Sequence, residues 1–440
     1  MKRKILITLG VGLYFQLGIA QSFNAEKLNK YFNSLVQKNK AMGSVALAKN
    51  GQILYTNVFG FSDVVTQQKA DENSKYRIGS ISKTFTAVLV FKAIEAQKLS
   101  LNQTIGQWFL TIKNSDKITV ADLLQHRSGI HNFTEVEDYI QWNTQQKSEA
   151  EMVKIIAKGG SDFEPNSQGK YSNSNYVLLS YILEKVMQKP YADLLREYIV
   201  QPLGLKNTAV FKSINPVENE CLSYQWNDGW NLESQTASSV PVGAGNIMST
   251  PTDLVKFTEA LFTGKLIKPE HLNLMKTIKD GYGMGLFQFP FMDKKLYGHT
   301  GGIDGFHSVF SYDEHNKIAY AMVLNGLNYD MNAISITVMS EVYSEPYELP
   351  KFETYVVPAK QLVAYVGVYA SSELPIKVII TQSDAGLTAQ ATGQASFALE
   401  ATAEHQFQFD LAGIVLIFNP KEQTMVLKQN GLQFLFKKEK

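Results

Sequence analysis

Ser80 and Lys83 stand three residues apart in "KYRIGSISKTFTAVLVFKAIEA", residues 75–96. Beyond them Phe85, Ala87, Val88, Leu89, Val90, Phe91, Ala93 and Ile94 leave almost no polar face. A helix that is apolar nearly all round is a buried helix, and buried lysine is rare unless it is paired or functional. Residues three apart share one face of a helix, so the spacing brings Lys83 Nζ within reach of Ser80 Oγ. Desolvation lowers the pKa of a buried lysine, and a neutral amine can take the serine proton to make a nucleophile. Gly79 precedes the serine at the expected helix start, where unpaired N–H groups and the positive dipole end favour a developing anion. The competing reading is a helix cap followed by a lysine that snorkels to water.

Two more segments carry polar groups in suggestive places. "GKYSNSNYVLLSYIL" sets Tyr171 and Asn173 in a polar turn ahead of an apolar helix. "YGHTGGIDGF" sets His299, Thr300 and Gly301 on an expected strand ahead of a glycine-rich turn. Each pattern has decoys in this chain. Ser167-Gln168-Gly169-Lys170 repeats the first in a loop that positions neither side chain, Tyr55-Thr56-Asn57 lies in an expected hairpin strand, and Arg127-Ser128-Gly129 reads as a helix stop. His126 and His131 flank that stop without an acidic partner at ligand spacing, so His126 is expected to be structural and no metal site is expected. The glycine-rich stretches at 242–246 and 281–285 complete no dinucleotide-binding pattern and read as loops. No Gly-x-Ser-x-Gly elbow surrounds Ser80.

Ser-x-x-Lys, Tyr-Ser-Asn and His-Thr-Gly, in that order, resemble the penicillin-recognising serine hydrolases. The nearest likeness is to the group of class C β-lactamases, D-alanyl-D-alanine carboxypeptidases and related esterases, and it spans roughly residues 25 to 345. "ITVADLLQHRSGI", "GNIMSTPTDLVKF" and "YAMVLN" add to it. The resemblance implies that Ser80 attacks a carbonyl to form an acyl-enzyme, with Lys83 and the phenol or phenolate of Tyr171 moving protons. It gives Asn173 a bond to Lys83 and to the substrate amide, and makes Thr300 with His299 the carboxylate-binding pair. Gly301 would leave room for a substrate added along the strand edge, and the N–H groups of Ser80 and Gly302 would form the oxyanion hole. No metal or organic cofactor is implied. Class C β-lactamases resemble one another in having lysine where this chain has His299. A neutral histidine holds a carboxylate less firmly, so peptide or ester hydrolysis stands ahead of β-lactamase activity, which is expected to be weak. The runner-up is a penicillin-binding or cell-wall-sensing protein that acylates and deacylates slowly.

The rest of the chain must position these residues. It has 440 residues, 45% hydrophobic, with 42 basic and 41 acidic side chains for a net charge of +1. That balance suits a folded multidomain protein and gives no electrostatic reason to expect nucleic acid. The expected partner is a small-molecule or peptide substrate, peptidoglycan-derived among the candidates. Cys221 is the sole cysteine, so no intrachain disulfide can form. "MKRKILITLGVGLYFQLGIAQS" has a basic start, an apolar stretch and Gly18-Ile19-Ala20 before Gln21, the layout of a secretory signal over 1–20. Export to the periplasm or outside the cell follows, with no membrane span after cleavage.

The expected fold is α+β, of the β-lactamase/transpeptidase kind: an antiparallel sheet flanked by helices, spanning 21–345, with a mostly helical subdomain over 98–290. Leu28, Tyr31, Phe32 and Leu35 behind Asn24 predict a capped helix, and Asn50-Gly51 between two apolar runs predicts a hairpin. Pro346, Pro350 and Pro358 mark a linker over 346–358. Short alternating runs from "YVGVYA" to "TMVLKQNGLQFLFKK" predict an all-β barrel over 359–440, and this part of the chain resembles the lipocalin-like appendage of some members of that group.

Overall fold

Helix α1 (Ala25–Gln37) begins where the Asn24 side chain accepts from Lys27 N, and it buries Leu28, Tyr31, Phe32 and Leu35. Strands β1 (Ala41–Lys49) and β2 (Gln52–Phe59) follow as an antiparallel hairpin. Asn50 and Gly51 turn it with φ of 54° and 79°, the left-handed pair a two-residue hairpin needs. The chain is described here by a computed structural model that covers residues 23–350, 352–353, 355–383, 386–429 and 432–439. The expected secretory signal lies outside the described residues.

Helices α2 (Ser82–Glu95), α3 (Asn173–Met187) and α4 (Pro251–Phe262) come next. After them the chain makes β3 (Phe287–Phe291), β4 (Lys294–Ile303), β5 (Phe306–Asp313) and β6 (Ile318–Leu327), then helix α5 (Met331–Val342). The sheet order is β3-β4-β5-β6-β1-β2, antiparallel throughout these pairs. Tyr224–Trp226 adds a short parallel pairing to the end of β6, so the stretch over 98–290 is not helical alone.

Side chains on a strand alternate between faces, and here the alternation sorts sizes. Val45, Leu47, Tyr320, Met322 and Leu324 pack with α1 and α5 on one face. Ala46, Ala48, Ala319, Ala321 and Val323 face the other way, against a larger core that includes α2, α3 and α4. Small residues on that face let buried helices come close to the sheet. Helix α2 buries Ser82 through Phe91 without a break, as its apolar sequence requires.

Between Glu345 and Pro358 the described residues form no helix or strand. Beyond them eight strands, Gly367–Ala370 to Leu432–Lys438, close into an antiparallel barrel. Closure removes the free edges. One strand, Phe397–Ala403, has no counterpart in the alternating runs read from the sequence; its contrast fades after Glu400, where Ala401, Thr402 and Ala403 follow. Tyr365, Tyr369, Phe407, Phe418 and Phe436 pack with aliphatic side chains in the barrel core. An eight-stranded barrel is just wide enough to be filled in that way, and a cavity of about 680 Å³ opens beside Leu362, Leu387, Leu399 and Phe407 of that core. Lys40, at the start of the sheet domain, ties the barrel on by ion pairs to Asp410 at 2.8 Å and Glu400 at 3.1 Å.

Candidate active site

Ser80 sits in a one-turn 3-10 helix, Gly79–Ile81, that feeds α2. The α-helix itself starts at Ser82, two residues beyond the nucleophile candidate. The turn is pinned from outside: Ile78 N donates to Ile247 O at 3.0 Å, and Ile247 N donates to Ser82 Oγ at 3.1 Å. Gly79 has φ of 50°, and a Cβ there would lie 2.8 Å from Gly302 N. The sequence places glycine before the serine because β4 crosses at van der Waals distance.

Lys83 is fully buried. Its Nζ lies 2.9 Å from Ser80 Oγ, 2.7 Å from Asn173 Oδ1 and 2.8 Å from Ala244 O. Burial holds its pKa well below the ordinary lysine range. The loop around Ala244, part of the glycine-rich stretch 242–246, is the floor beneath the amine. Thr86 Oγ1 donates to Gly243 O at 2.6 Å, which fixes that loop to α2.

Tyr171 lies in the turn ahead of α3, with its hydroxyl close enough to Ser80 for the serine to lower its pKa. Burial pushes its pKa up, against the lowering effect of the serine, so it is a neutral phenol at neutral pH. Lys83 Nζ is 4.8 Å from the Tyr171 ring centroid. Asn173 opens α3. Its Nδ2 donates to Asn132 Oδ1 at 3.2 Å and Thr134 Oγ1 at 3.3 Å, which turns Oδ1 toward Lys83.

His126 is part of this constellation, although its sequence context suggested only a structural role. Its Nδ1 accepts from Ser172 N at 3.1 Å, between Tyr171 and Asn173. Its ring packs on Tyr171 with 4.4 Å between centroids and on Tyr176 with 5.2 Å. Burial holds it well below the usual histidine range. His131 pairs instead with Asp162 at 2.8 Å. Tyr282, from the glycine-rich stretch 281–285, adds a third ring beside His126.

On β4 the alternation of the strand decides which expected residues meet the serine. His299 and Gly301 face it; Thr300, between them, lines a separate apolar cavity of about 170 Å³ with Phe289, Leu296 and Met339. Thr300 therefore does not join His299 in a carboxylate-binding pair. His299 is 2% exposed, and its Nδ1 donates to Thr300 O at 2.5 Å. Burial pushes its pKa down to about 3, so it is uncharged at neutral pH. A Cβ on Gly301 would fall 2.1 Å from Ile78 O and 3.0 Å from Ser80 N. Gly301 thus makes room for the serine turn, and the expected space for substrate lies elsewhere. That space is the strand edge: β3 pairs with β4 only from Lys294 to Gly298, so His299 to Ile303 have no strand on that side among the described residues.

Ser80, Asn173 and Gly302 line one cleft of about 450 Å³, walled by Phe133, Tyr139 and Phe306. The decoy serine-lysine pair is engaged elsewhere: Ser167 Oγ donates to Glu164 O at 2.7 Å, and Lys170 Nζ donates to Asp162 at 2.6 Å. Arg77, three residues before Ser80, does not reach for substrate. It forms an ion pair with Asp304 at 2.7 Å, both side chains nearly fully buried, which anchors the turn after Gly302. Asn132, Ala244 and Asp304 matched no catalytic motif: Asp304 sits within "YGHTGGIDGF", Ala244 within the glycine-rich stretch 242–246, and Asn132 just past "ITVADLLQHRSGI".

The Beta-lactamase family description matches residues 28–338. A teichoic acid D-alanine hydrolase of Staphylococcus aureus is 27% identical over 307 residues, 68% of this chain and 73% of that protein. A penicillin-binding protein of Bacillus subtilis (strain 168) is 25% identical over 444 residues, 92% of this chain and 96% of that protein. The structure of a D-amino acid amidase from Ochrobactrum anthropi SV3, complexed with D-phenylalanine, is similar with a TM-score of 0.64 at 26% identity, covering 72% of this chain and 99% of the amidase. With the match covering most of the chain, and with serine, lysine and tyrosine converging in one cleft, the protein belongs to the Beta-lactamase family, among the penicillin-recognising serine hydrolases.

Proposed function

We propose that the protein is an exported hydrolase that forms an acyl-enzyme at Ser80 from a D-amino-acid ester, amide or peptide and releases the acyl group to water. The observation that carries this is the environment of Lys83 Nζ. A neutral amine has two N–H donors and one lone pair. Asn173 Oδ1 and Ala244 O are acceptors only, so they take both N–H groups, and the lone pair is left for the Ser80 hydroxyl 2.9 Å away. Lowered basicity from burial favours that uncharged form.

In this mechanism the Ser80 proton passes to Lys83 as Oγ bonds to the substrate carbonyl carbon. The carbonyl oxygen becomes an oxyanion facing the N–H groups of Ser80 and Gly302, each worth about 3–4 kcal/mol in such sites. The tetrahedral species collapses, the bond to the leaving alkoxide or amine breaks, and that group takes a proton through the Tyr171 phenol, which is replenished from Lys83. Water then attacks the ester carbon, giving its proton to the same pair; the bond to Ser80 Oγ breaks, the acid leaves, and Ser80 takes a proton back from Lys83. Tyr171 acts as a relay because it stays protonated; Lys83 is the base. The unpaired edge of β4 would take an extended substrate by backbone hydrogen bonds.

The names of the relatives support D-alanyl or D-amino-acid substrates. The reading assigns hydrolysis to residues 21–345 and leaves the barrel, over 359–440 after a 346–358 linker, outside the chemistry. Export rests on the composition of residues 1–20; among the described residues no helix is long and apolar enough to cross a membrane. Likeness to a penicillin-binding protein over 92% of this chain supports the alternative in which acylation outpaces release.

Intact-protein mass spectrometry after exposure to an ester, a D-alanyl amide and a penicillin tests the reading. Transient adducts on Ser80, with product released and none formed by Ser80→Ala, are expected. A penicillin adduct that persists for hours beside unturned ester selects the alternative, and no Ser80-dependent adduct from any compound defeats both.

A further inference from the structure

The two N–H groups read as the oxyanion hole lie on segments far apart in the chain. Ser80 follows the short strand Tyr76–Arg77, and Gly302 lies near the end of β4. The segments cross in contact: a Cβ on Gly79 would lie 2.8 Å from Gly302 N, and one on Gly301 3.0 Å from Ser80 N. Such donors stabilise an oxyanion best when they are aimed before it forms, so the angle of this crossing must be held.

Arg77 and Asp304 join the segments, three residues before Ser80 and two after Gly302. Arg77 Nη1 donates to Asp304 Oδ2 at 2.7 Å, with the side chains 2% and 3% exposed. The same guanidinium donates to Thr236 O at 3.1 Å, Lys212 O at 3.0 Å and Gln235 Oε1 at 3.3 Å. It also lies 3.9 Å from the Phe211 ring centroid. Asp304 Oδ1 accepts from Thr236 N at 3.0 Å and from Thr236 Oγ1 at 2.7 Å. Stability alone does not call for this arrangement, because well-packed apolar residues often serve a fold as well as a buried ion pair. Arg77 Nε is buried with no partner, and Asp304 has φ of 53°, a conformation that favours glycine. Costs of this kind collect at functional sites.

We infer that Arg77 and Asp304 are positioning residues for the oxyanion hole: their ion pair fixes the Ser80 turn against the end of β4, so that both N–H groups meet the same oxygen. The two charges are spent on each other and on the cleft wall at Thr236, which leaves neither to recruit substrate. That role rests on the hydrolase reading and supplies what preorganises its transition state.

The full-length protein is assayed with p-nitrophenyl acetate and its thiono counterpart, whose C=S sulfur is a weak hydrogen-bond acceptor. The first burst of p-nitrophenol reads acylation whether release is fast or slow. Asp304→Asn is expected to slow acylation by the oxygen ester about tenfold to a hundredfold, with a smaller change in KM. It should narrow the preference for oxygen over sulfur by about tenfold, a ratio that general damage to the fold would leave alone. Asp304→Gly keeps the left-handed turn, loses the carboxylate and should behave alike. Arg77→Lys keeps a charge but not the fork and should fall between. Where a lone buried charge prevents folding, Arg77→Gln combined with Asp304→Asn removes both charges and is read on the same two esters, thermal melts confirming the fold. The parental preference in any folded variant lacking the carboxylate, or equal losses on both esters, overturns the inference. The hydrolase reading survives either result, since the parent protein still acylates through Ser80. No Ser80-dependent burst from the parent protein with either ester sinks the hydrolase reading, and the positioning role with it.

Discussion

The imidazole of His126 lies 4.4 Å, centroid to centroid, from the phenol ring of Tyr171, while its Nδ1 holds the backbone N–H of Ser172. One side chain thus sets both the ring position of Tyr171 and the entry of the chain into α3 at Asn173. Because the ring stays neutral, its part is to position these residues, with no proton transfer of its own.

His126→Ala is therefore expected to lower kcat by about a hundredfold, the cost of misplacing catalytic groups by about 1 Å, with a smaller change in KM. His126→Gln keeps an acceptor and should recover part of the loss. Steady-state kinetics on a chromogenic ester checks this; equal kcat for wild type and His126→Ala would remove the positioning role.

Histidine burial also sets a pH dependence of stability. In the unfolded chain His299 titrates near the ordinary value of about 6.5; in the fold it stays neutral until pH about 3. Falling pH therefore protonates the unfolded state first, and stability is full above pH 6.5 and drains away as pH drops toward 3. His126 and His307 shift in the same direction. Each such group contributes a slope of about 1.4 kcal/mol per pH unit. Denaturant unfolding between pH 7 and 5, above the range where most carboxylates titrate, should show this loss. His299→Gln should make the slope shallower, and an unchanged slope would contradict the assignment.

Neighbouring glycines on β4 should respond in opposite ways. A Cβ at Gly301 meets Ile78 O at 2.1 Å and Ser308 Oγ at 2.4 Å, whereas one at Gly302 has nothing nearer than Phe306 O at 4.0 Å. Gly301→Ala is expected to lower stability by about 2–3 kcal/mol through overpacking and to displace the serine turn. Gly302→Ala should fold with a Tm near that of the parent. Thermal melts of the pair decide the matter, and similar losses in both would show that the crossing strands can part.

Lys40 is 6% exposed and bonded to both Asp410 and Glu400 of the barrel. Truncating one partner of a buried ion pair typically costs about 3–5 kcal/mol, because the other charge is stranded. Lys40→Ala should loosen the barrel and speed proteolytic cleavage in the 346–358 segment. Cleavage at the parental rate would show that apolar contacts alone hold the two parts together.

Much of this protein is written locally. The α1 cap at Asn24, the Asn50-Gly51 hairpin, the buried face of α2 and most barrel strands follow from periodicity and turn chemistry, which act over a few residues. Ser80, Lys83, Tyr171 and Asn173 were legible for the same reason, each riding on a local segment with its own pattern. Which groups finally meet depends on long-range packing. Strand alternation in the assembled sheet sends Thr300 to the far face, and the crossing of β4 over the serine turn turns Gly301 from a substrate gap into a packing need. His126, Asn132 and Ala244 come to the site from loops distant in the chain, and no spacing in a linear sequence records that. Their chemistry depends on burial and on partners, and both exist only once the chain has folded.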